Sequence, residues 1–296
     1  MTTVGVAEHR YFYRVALDYI LVLKPRETSL LLFIAVCSGV VAGAGFPPLE
    51  PFLLASTAVL LGSAGCNGIT NYLDMRVDAK MRRTCSRVLP SKRIEPPEKV
   101  LPLVVGLIVV GLALAWIVNP WCFLAGLVGS AASVAWRKTF TCTIFGIIAS
   151  VAPVLIGWLA IRPAFSLEIL FLCLLIAAWI PLHVWTLMIS HREDYARAGL
   201  RYFPLSWNER HVIRVLVALS IVLFAVTLVL YRVGGFSWLY LSATVLLGVL
   251  MITANVHLMR SGNSASAWRV YKLSAFPYLG IVFLGMCLDI WLLGMR

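Results

Sequence analysis

Two carboxylates with helical spacing form the first candidate site in this sequence. The segment Asn71-Tyr-Leu-Asp74-Met-Arg-Val-Asp78 follows directly on an apolar run. If a helix continues through it, Asn71, Asp74, Asp78 and Arg82 share one face, because residues three and four positions apart are helical neighbours. Two aspartates at this spacing repel each other unless a cation lies between them, and oxygen-only ligands suit Mg²⁺. The spacing therefore indicates a magnesium site that would also take a substrate phosphate.

Basic side chains beside this pair could bind such a phosphate. Lys80, Arg82, Arg83 and Arg87 follow the second aspartate, and ammonium and guanidinium groups are the usual donors to a diphosphate. A second interpretation is an ordinary juxtamembrane loop, in which Asp78 pairs with Arg82 and the other basic residues contact anionic lipid headgroups. The spacing alone favours neither.

A second polar cluster, His-Arg-Glu-Asp-Tyr at 191–195, follows another apolar segment. If both clusters lie at the same membrane face, they could face each other across a central cavity.

Upstream, His183 lies in an apolar run between Pro181 and Trp185. An ionisable residue at membrane depth is a functional candidate, as a metal ligand or a proton donor; the alternative is a hydrogen bond to a neighbouring helix. Asp289, near the end of the last apolar segment, is expected to be an interfacial acid.

The composition indicates which fold must position these residues. Of the 296 residues, 61% are hydrophobic and 13% are charged, and the mean hydropathy is +0.91, which excludes a water-soluble globule and a disordered chain. The long apolar runs also exclude a transmembrane β-barrel, whose strands alternate. Nine segments are long enough to span a bilayer, near 28–46, 52–73, 100–118, 121–136, 142–161, 167–189, 212–231, 238–258 and 274–292. We therefore predict an all-α polytopic membrane helical bundle, with a single domain over residues 1–296.

The distribution of positive charge predicts how this bundle is oriented. All but three of the 25 Lys and Arg residues fall in alternate loops on one side, the exceptions being Arg162, Arg232 and Arg296. The positive-inside rule then places the N-terminus in the cytoplasm. Two long cytoplasmic loops, about 74–99 and 190–211, carry most of the polar candidates. The net charge of +12 is spread between apolar segments and does not indicate nucleic-acid binding.

Four blocks of residues carry a resemblance to a known family. They are Leu23-Lys24-Pro25-Arg26, the segment from Asn71 through Asp74 and Asp78 to Arg87, Ala152-Pro153 with Gly157-Trp158, and Pro181-Leu-His183-Val-Trp185 followed by Asp194-Tyr195. Over about residues 18–290 the sequence resembles the UbiA-type intramembrane prenyltransferases, most closely their protohaem IX farnesyltransferase (haem o synthase) branch. The aspartate block is typical of the whole superfamily, whereas the Lys-Pro-Arg start and the His-x-Trp block favour the haem branch.

The resemblance implies a bundle of nine spans and a Mg²⁺-dependent enzyme. It implies transfer of a farnesyl group from farnesyl diphosphate to a vinyl group of haem b, with addition of water, to give haem o and diphosphate. Its implied site residues are Asn71, Asp74 and Asp78 for magnesium and diphosphate, Lys24, Arg83 and Arg87 for phosphate, Asp194 for a second metal–diphosphate site, His183 for the haem end, and Arg137, Lys138 and Tyr195 as further substrate contacts. Whether His183 ligates iron or relays a proton stays open.

Other functions are kept as alternatives. A UbiA-type enzyme with a quinone-precursor ring or a lipid as acceptor is the nearest one, and a non-enzymatic membrane transporter is the next. The lack of a transit-peptide pattern favours a prokaryotic plasma membrane over an organellar inner membrane. A haem a synthase or assembly factors of a terminal oxidase are the protein partners that the resemblance suggests.

Overall fold

A computed structural model describes residues 3–135, 142–201 and 203–294, and every regular element in these ranges is a helix. The helices that lie in the predicted apolar segments are α2 (Pro25–Ala42), α3 (Leu49–Asp78), α4 (Leu101–Val118), α5 (Pro120–Ala135), α6 (Cys142–Ile161), α7 (Leu167–Ser190), α9 (Glu209–Val233), α10 (Trp238–Ser261) and α12 (Leu279–Leu293). The remaining helices are α1 (Thr3–Val22), α8 (Arg192–Arg197) and α11 (Ser264–Leu273), with a 3₁₀ turn at Pro97–Val100 and a π-helical segment at Ser274–Tyr278. The predicted all-helical class is confirmed.

The described residues contain eight helices that are long and apolar enough to cross a membrane. They match eight of the nine predicted segments. The ninth, α5, has 16 residues, which at 1.5 Å per residue is about 24 Å and falls short of a bilayer core of about 30 Å. A multi-pass membrane protein is therefore established, while the ninth crossing and the side of the N-terminus stay predictions.

The last span is longer than the hydropathy pattern predicts. The helix α11, the π-helical segment and α12 form one continuous stretch, Ser264–Leu293, of 30 residues. The pattern missed its beginning because Arg269 and Lys272 interrupt the apolar run there. The stretch is bent at Ala275, where ψ is −136°, just before Pro277.

Asp289 is not the interfacial acid that the sequence predicts. Its side chain is fully buried, and its carboxylate accepts hydrogen bonds from the backbone N–H groups of Ser237 and Tyr240 at 2.7 and 3.0 Å and from the Ser237 hydroxyl. Those N–H groups lie at the first turn of α10, where the helix dipole favours a negative charge. Asp289 therefore caps one transmembrane helix from another, which hydropathy does not reveal.

Small residues set the closest helix contacts. At the crossing of α2 and α6, the Ser38 hydroxyl donates to the Val154 carbonyl at 2.8 Å. A Cβ on Gly157 would lie 2.1 Å from the Ala35 carbonyl oxygen, and one on Gly39 would lie 3.1 Å from the Gly157 carbonyl oxygen. In a bilayer, where apolar surface is not driven out of water, such close packing and interhelical hydrogen bonds hold helices together.

We expect Gly157→Ala to lower the free energy of unfolding by about 1–3 kcal/mol, because overpacking forces the two backbones apart. Thermal unfolding in detergent, followed by tryptophan fluorescence, measures the effect. Gly106→Ala is the matched control, since a Cβ there meets no atom within 4 Å and alanine favours the helix. Equal melting temperatures for the two variants would contradict the packing argument.

Candidate functional site

A cavity of about 400 Å³ opens within the bundle. Its interior is lined mainly by small and apolar residues of α2 to α7, with Ala58, Ala115 and Ile156 among them. Polar residues gather at one end, near the start of α2 and the end of α3: Lys24, Glu27, Asn67, Thr70, Asp74, Arg83 and Arg87. The cavity therefore joins a charged mouth to an apolar interior, a combination found in binding sites for amphipathic ligands.

The aspartate block lies on α3, which is 30 residues long and ends at Asp78. Asp74 lines the cavity. Asn71 is buried next to this lining; its amide donates to the Val22 carbonyl at 2.6 Å, and within the described part of the chain its Oδ1 has no hydrogen-bond partner. Arg82 comes after the end of the helix and is exposed. The predicted helical face therefore ends at Asp78 and does not include Arg82.

Asp78 is nearly fully buried and pairs with Arg87, not with Arg82. The Arg87 guanidinium lies 3.0 Å from Asp78 Oδ2, and the Thr84 hydroxyl donates to the Asp78 carbonyl at 3.0 Å. Arg87 also lines the cavity. The Asp78 carboxylate thus holds the Arg87 guanidinium at the mouth of the cavity. A loop that only contacts lipid headgroups would not need such a buried ion pair.

The second polar cluster meets the first across the mouth. Asp194 Oδ2 accepts a hydrogen bond from the backbone N–H of Arg83 at 3.1 Å, and Asp194 Oδ1 lies 3.1 Å from the Arg197 guanidinium. Next to it, Tyr195 packs on Met81 and lines the cavity. Burial raises the pKa of the Tyr195 hydroxyl. The two loops are therefore joined directly, as their expected placement on one face suggested.

Lys24 lies at the mouth in a constrained conformation. Its backbone has φ 49° and ψ 66° immediately before Pro25, a left-handed conformation that is uncommon for a residue with a side chain. Its ammonium group donates to the Thr70 hydroxyl at 3.2 Å. Burial, followed by repulsion from the nearby Arg87, lowers the pKa of Lys24 to about 8.

His183, on α7, also lines the cavity. Its ring is stacked between Trp179 and Tyr271, with centroid separations of 4.7 and 4.6 Å. Its Nδ1 lies 3.2 Å from the Ser274 hydroxyl oxygen. The hydrogen bond to a neighbouring span and a position on the cavity wall are both present, so the two interpretations of His183 are compatible.

The expected site residues fall into three groups. Those that line the cavity are Lys24, Asp74, Arg83, Arg87, His183 and Tyr195. Asn71, Asp78 and Asp194 lie behind this lining, and Arg137 and Lys138 lie outside the described residues. Sequence reasoning missed Asn67 and Thr70, although polar residues one turn before the aspartate block in an apolar run were a usable signal.

No group of three or more His, Cys, Asp or Glu side chains in the described ranges is placed to hold a metal ion. The oxygen donors nearest to such a role are on α3. Asp74 faces the cavity, and one turn earlier the buried Asn71 Oδ1 has no hydrogen-bond partner among the residues that the structure describes.

Comparison with known proteins gives consistent results. The UbiA prenyltransferase family matches residues 30–284. The protoheme IX farnesyltransferase of Desulforudis audaxviator is 34% identical, over 95% of this chain and 90% of that protein. That of Korarchaeum cryptofilum is 32% identical, over 92% and 93%.

Solved structures with the same fold are more distant in sequence. A digeranylgeranylglyceryl phosphate synthase aligns with a TM-score of 0.77 at 16% identity, covering 92% of this chain and 97% of that one. A UbiA homologue from Archaeoglobus fulgidus, bound to GPP and Mg²⁺, aligns with a TM-score of 0.62 at 16% identity, covering 91% and 99%. The extent of the family match and the identity to the relatives together show that this chain belongs to the UbiA prenyltransferase family.

Proposed function

We propose that this protein transfers a farnesyl group from farnesyl diphosphate to a vinyl group of haem b, with addition of water, to give haem o and diphosphate. The observation that carries the proposal is the cavity, whose cationic mouth leads into an apolar interior with a stacked histidine on its wall. The relatives named protoheme IX farnesyltransferase, aligned over most of their length, support the choice of donor and acceptor.

The diphosphate binds at the mouth in this proposal. Lys24, Arg83 and Arg87 line that end of the cavity, and a guanidinium or ammonium group stabilises the negative charge that develops as the allylic C–O bond breaks. The Asp78 carboxylate keeps Arg87 at the cavity, and Asp194 holds the backbone of Arg83. We therefore assign Asp78 and Asp194 the role of positioning the phosphate-binding arginines.

Magnesium fits the donor set of α3. The Asp74 carboxylate and the unpartnered Asn71 Oδ1 are hard oxygen donors from adjacent turns, and Mg²⁺ commonly uses one or two protein oxygens together with substrate phosphate. When bound, the ion would neutralise charge on the departing diphosphate. The homologue from Archaeoglobus fulgidus that was solved with GPP and Mg²⁺ supports a magnesium ion beside the diphosphate in this proposal.

The apolar interior would protect the farnesyl cation. Small and aliphatic residues of α2 to α7 keep water away, and the faces of Trp179 and Tyr271 beside His183 are suited to a positive charge. The terminal vinyl carbon attacks the allylic carbon as the diphosphate leaves. Water then adds to the cation formed next to the porphyrin ring and loses a proton, which gives the hydroxyl group of haem o.

The wider setting follows from the sequence and is part of the proposal. The mouth with its many arginines would lie at the cytoplasmic side of a plasma membrane. Arg137 and Lys138, which lie between α5 and α6 in the sequence, would add phosphate contacts. A haem a synthase or the assembly factors of a terminal oxidase would receive the product.

We expect Asp74→Asn to lower haem o formation by about 100-fold or more, because a charge that stabilises the departing diphosphate complex is lost. The protein is expressed in a host that lacks its own haem o synthase, and extracted haems are identified by mass. Asp18→Asn is the matched control, since Asp18 pairs with Arg93 at 2.9 Å on the same side of the protein and does not line the cavity.

Two results would contradict the proposal. Full activity of Asp74→Asn would contradict the assignment of Asp74 as a magnesium ligand. If the wild-type protein forms no haem o but prenylates a quinone precursor or a lipid, prenyl transfer is retained and haem b as the acceptor is refuted.

The pH dependence of kcat/KM for farnesyl diphosphate should report Lys24. Below its pKa of about 8, the ammonium group is charged and attracts diphosphate; above it, kcat/KM should fall as the proton is lost. Initial rates between about pH 7 and about pH 10 measure this profile. Lys24→Arg stays charged in that range, so its profile should remain flat, and an unchanged fall in this variant would assign the titration to another group.

A further inference from the structure

The two nitrogens of His183 are in different surroundings. Nδ1 lies 3.2 Å from the hydroxyl oxygen of Ser274, and the ring is stacked between Trp179 and Tyr271. A neutral imidazole carries one proton, on either Nδ1 or Nε2. The hydrogen-bond partner of each nitrogen decides which of the two is protonated. The partners of Ser274 therefore decide the state of His183.

The Ser274 hydroxyl has a single proton, which it donates in a hydrogen bond to a backbone carbonyl. Ser274 Oγ donates to the carbonyl oxygen of Tyr271 at 2.9 Å. With its proton directed at that carbonyl, Oγ presents lone pairs to His183, and the tautomer that completes the Nδ1–Oγ hydrogen bond is Nδ1–H. His183 is consequently held with its proton on Nδ1 and a lone pair on Nε2.

The serine itself is fixed by the break in the last span. It begins the π-helical segment Ser274–Tyr278, in which Ala275 has a non-helical ψ and Pro277 has no N–H. The Ser274 carbonyl accepts a hydrogen bond from the indole N–H of Trp179, the same ring that stacks on His183. Single π-helical turns within helices are frequent at functional sites.

The lone pair of Nε2 is open to the cavity. His183 lines the cavity, and no hydrogen bond to its Nε2 is formed within the described part of the chain. In that same part, the buried side-chain N and O atoms that lack a partner belong to Asn71, Ser166, Asn255 and Tyr278. Because Nε2 is not among them, it is accessible from the cavity space.

We propose that Ser274 is a positioning residue, which fixes the Nδ1–H tautomer of His183 so that Nε2 ligates the iron of the porphyrin acceptor. The inference rests on the proposed function, since it requires a haem acceptor. A neutral imidazole with a bonded Nδ1–H is the usual iron and zinc ligand in proteins, and the group that receives the Nδ1 proton orients the ring. The stacked rings of Trp179 and Tyr271 hold the plane of the imidazole in the same orientation.

The test is a titration of the purified full-length protein with ferric haem b in detergent, without farnesyl diphosphate, read by the absorption spectrum of the bound haem. Wild type should show a histidine-ligated spectrum, His183→Gly should lose it, and added imidazole should restore it. Ser274→Ala should bind haem about tenfold more weakly, with an altered ligation spectrum, because metal affinity falls roughly 10–100-fold when such a partner is removed.

The matched control is Ser220→Ala. Ser220 is also fully buried and donates to a carbonyl three residues earlier, that of Val217 at 2.7 Å, but it lies in α9 and does not line the cavity. It should bind haem as wild type does. A general loss of stability would weaken both serine variants and leave the spectrum of the bound haem unchanged.

Either of two results would overturn the inference: Ser274→Ala with the affinity and spectrum of wild type, or His183→Gly with the wild-type spectrum. Haem o production, measured by mass in parallel, tests the proposed function separately. Normal haem o formation by wild type with no histidine-ligated spectrum would refute iron ligation and leave the prenyltransferase activity standing. A histidine-ligated spectrum without haem o would refute the farnesyl transfer and leave the ligation standing.

Discussion

The buried ion pair between Asp78 and Arg87 is the interaction on which the mouth of the cavity depends. A carboxylate that is almost completely buried is stable only when it is paired and hydrogen-bonded, and here the Arg87 guanidinium lies 3.0 Å away. The pair holds the loop after α3 beside the cavity. Within this loop the Thr84 hydroxyl donates a hydrogen bond to the Asp78 carbonyl. Val22, Val88, Leu89, Ile94 and Val100 form a buried apolar cluster that anchors the loop to the bundle. Arg83 and Arg87 thus reach the cavity from an ordered segment.

Crowding of cations at this mouth is costly without an anionic ligand. The pKa of Lys24 is lowered to about 8 by burial and by Arg87, and Lys24 also has a left-handed backbone, which costs of order 1–3 kcal/mol for a residue other than glycine. A diphosphate would relieve the repulsion by neutralising both cations. Glu27, Asp78 and Asp74 offset the burial and the repulsion only in part, so a strongly negative ligand at the mouth would stabilise the charged form of Lys24.

Hydropathy and charge spacing predicted what depends on local sequence. The segment 142–161 coincides with α6, and Asp74 lines the cavity as its spacing suggested. What the sequence did not reveal depends on tertiary contacts: Asn71 bonds to the Val22 carbonyl, and Asp289 caps α10 from another span. Neither partner is close in sequence, so no periodicity encodes it. Ser274 was missed for the same reason, since its importance lies in a contact 91 residues away.

The broken last span illustrates how a membrane protein uses a defect in a helix. Within a bilayer every backbone polar group needs a partner, and Pro277 has no backbone N–H to donate to the preceding turn. At the start of this break the indole N–H of Trp179 donates to the Ser274 carbonyl, while the Ser274 hydroxyl orients His183. Both polar groups of Ser274 are thus bonded to side chains of α7. The break also gives the apolar cavity a nitrogen lone pair of defined direction, which a regular helix of aliphatic residues could not supply.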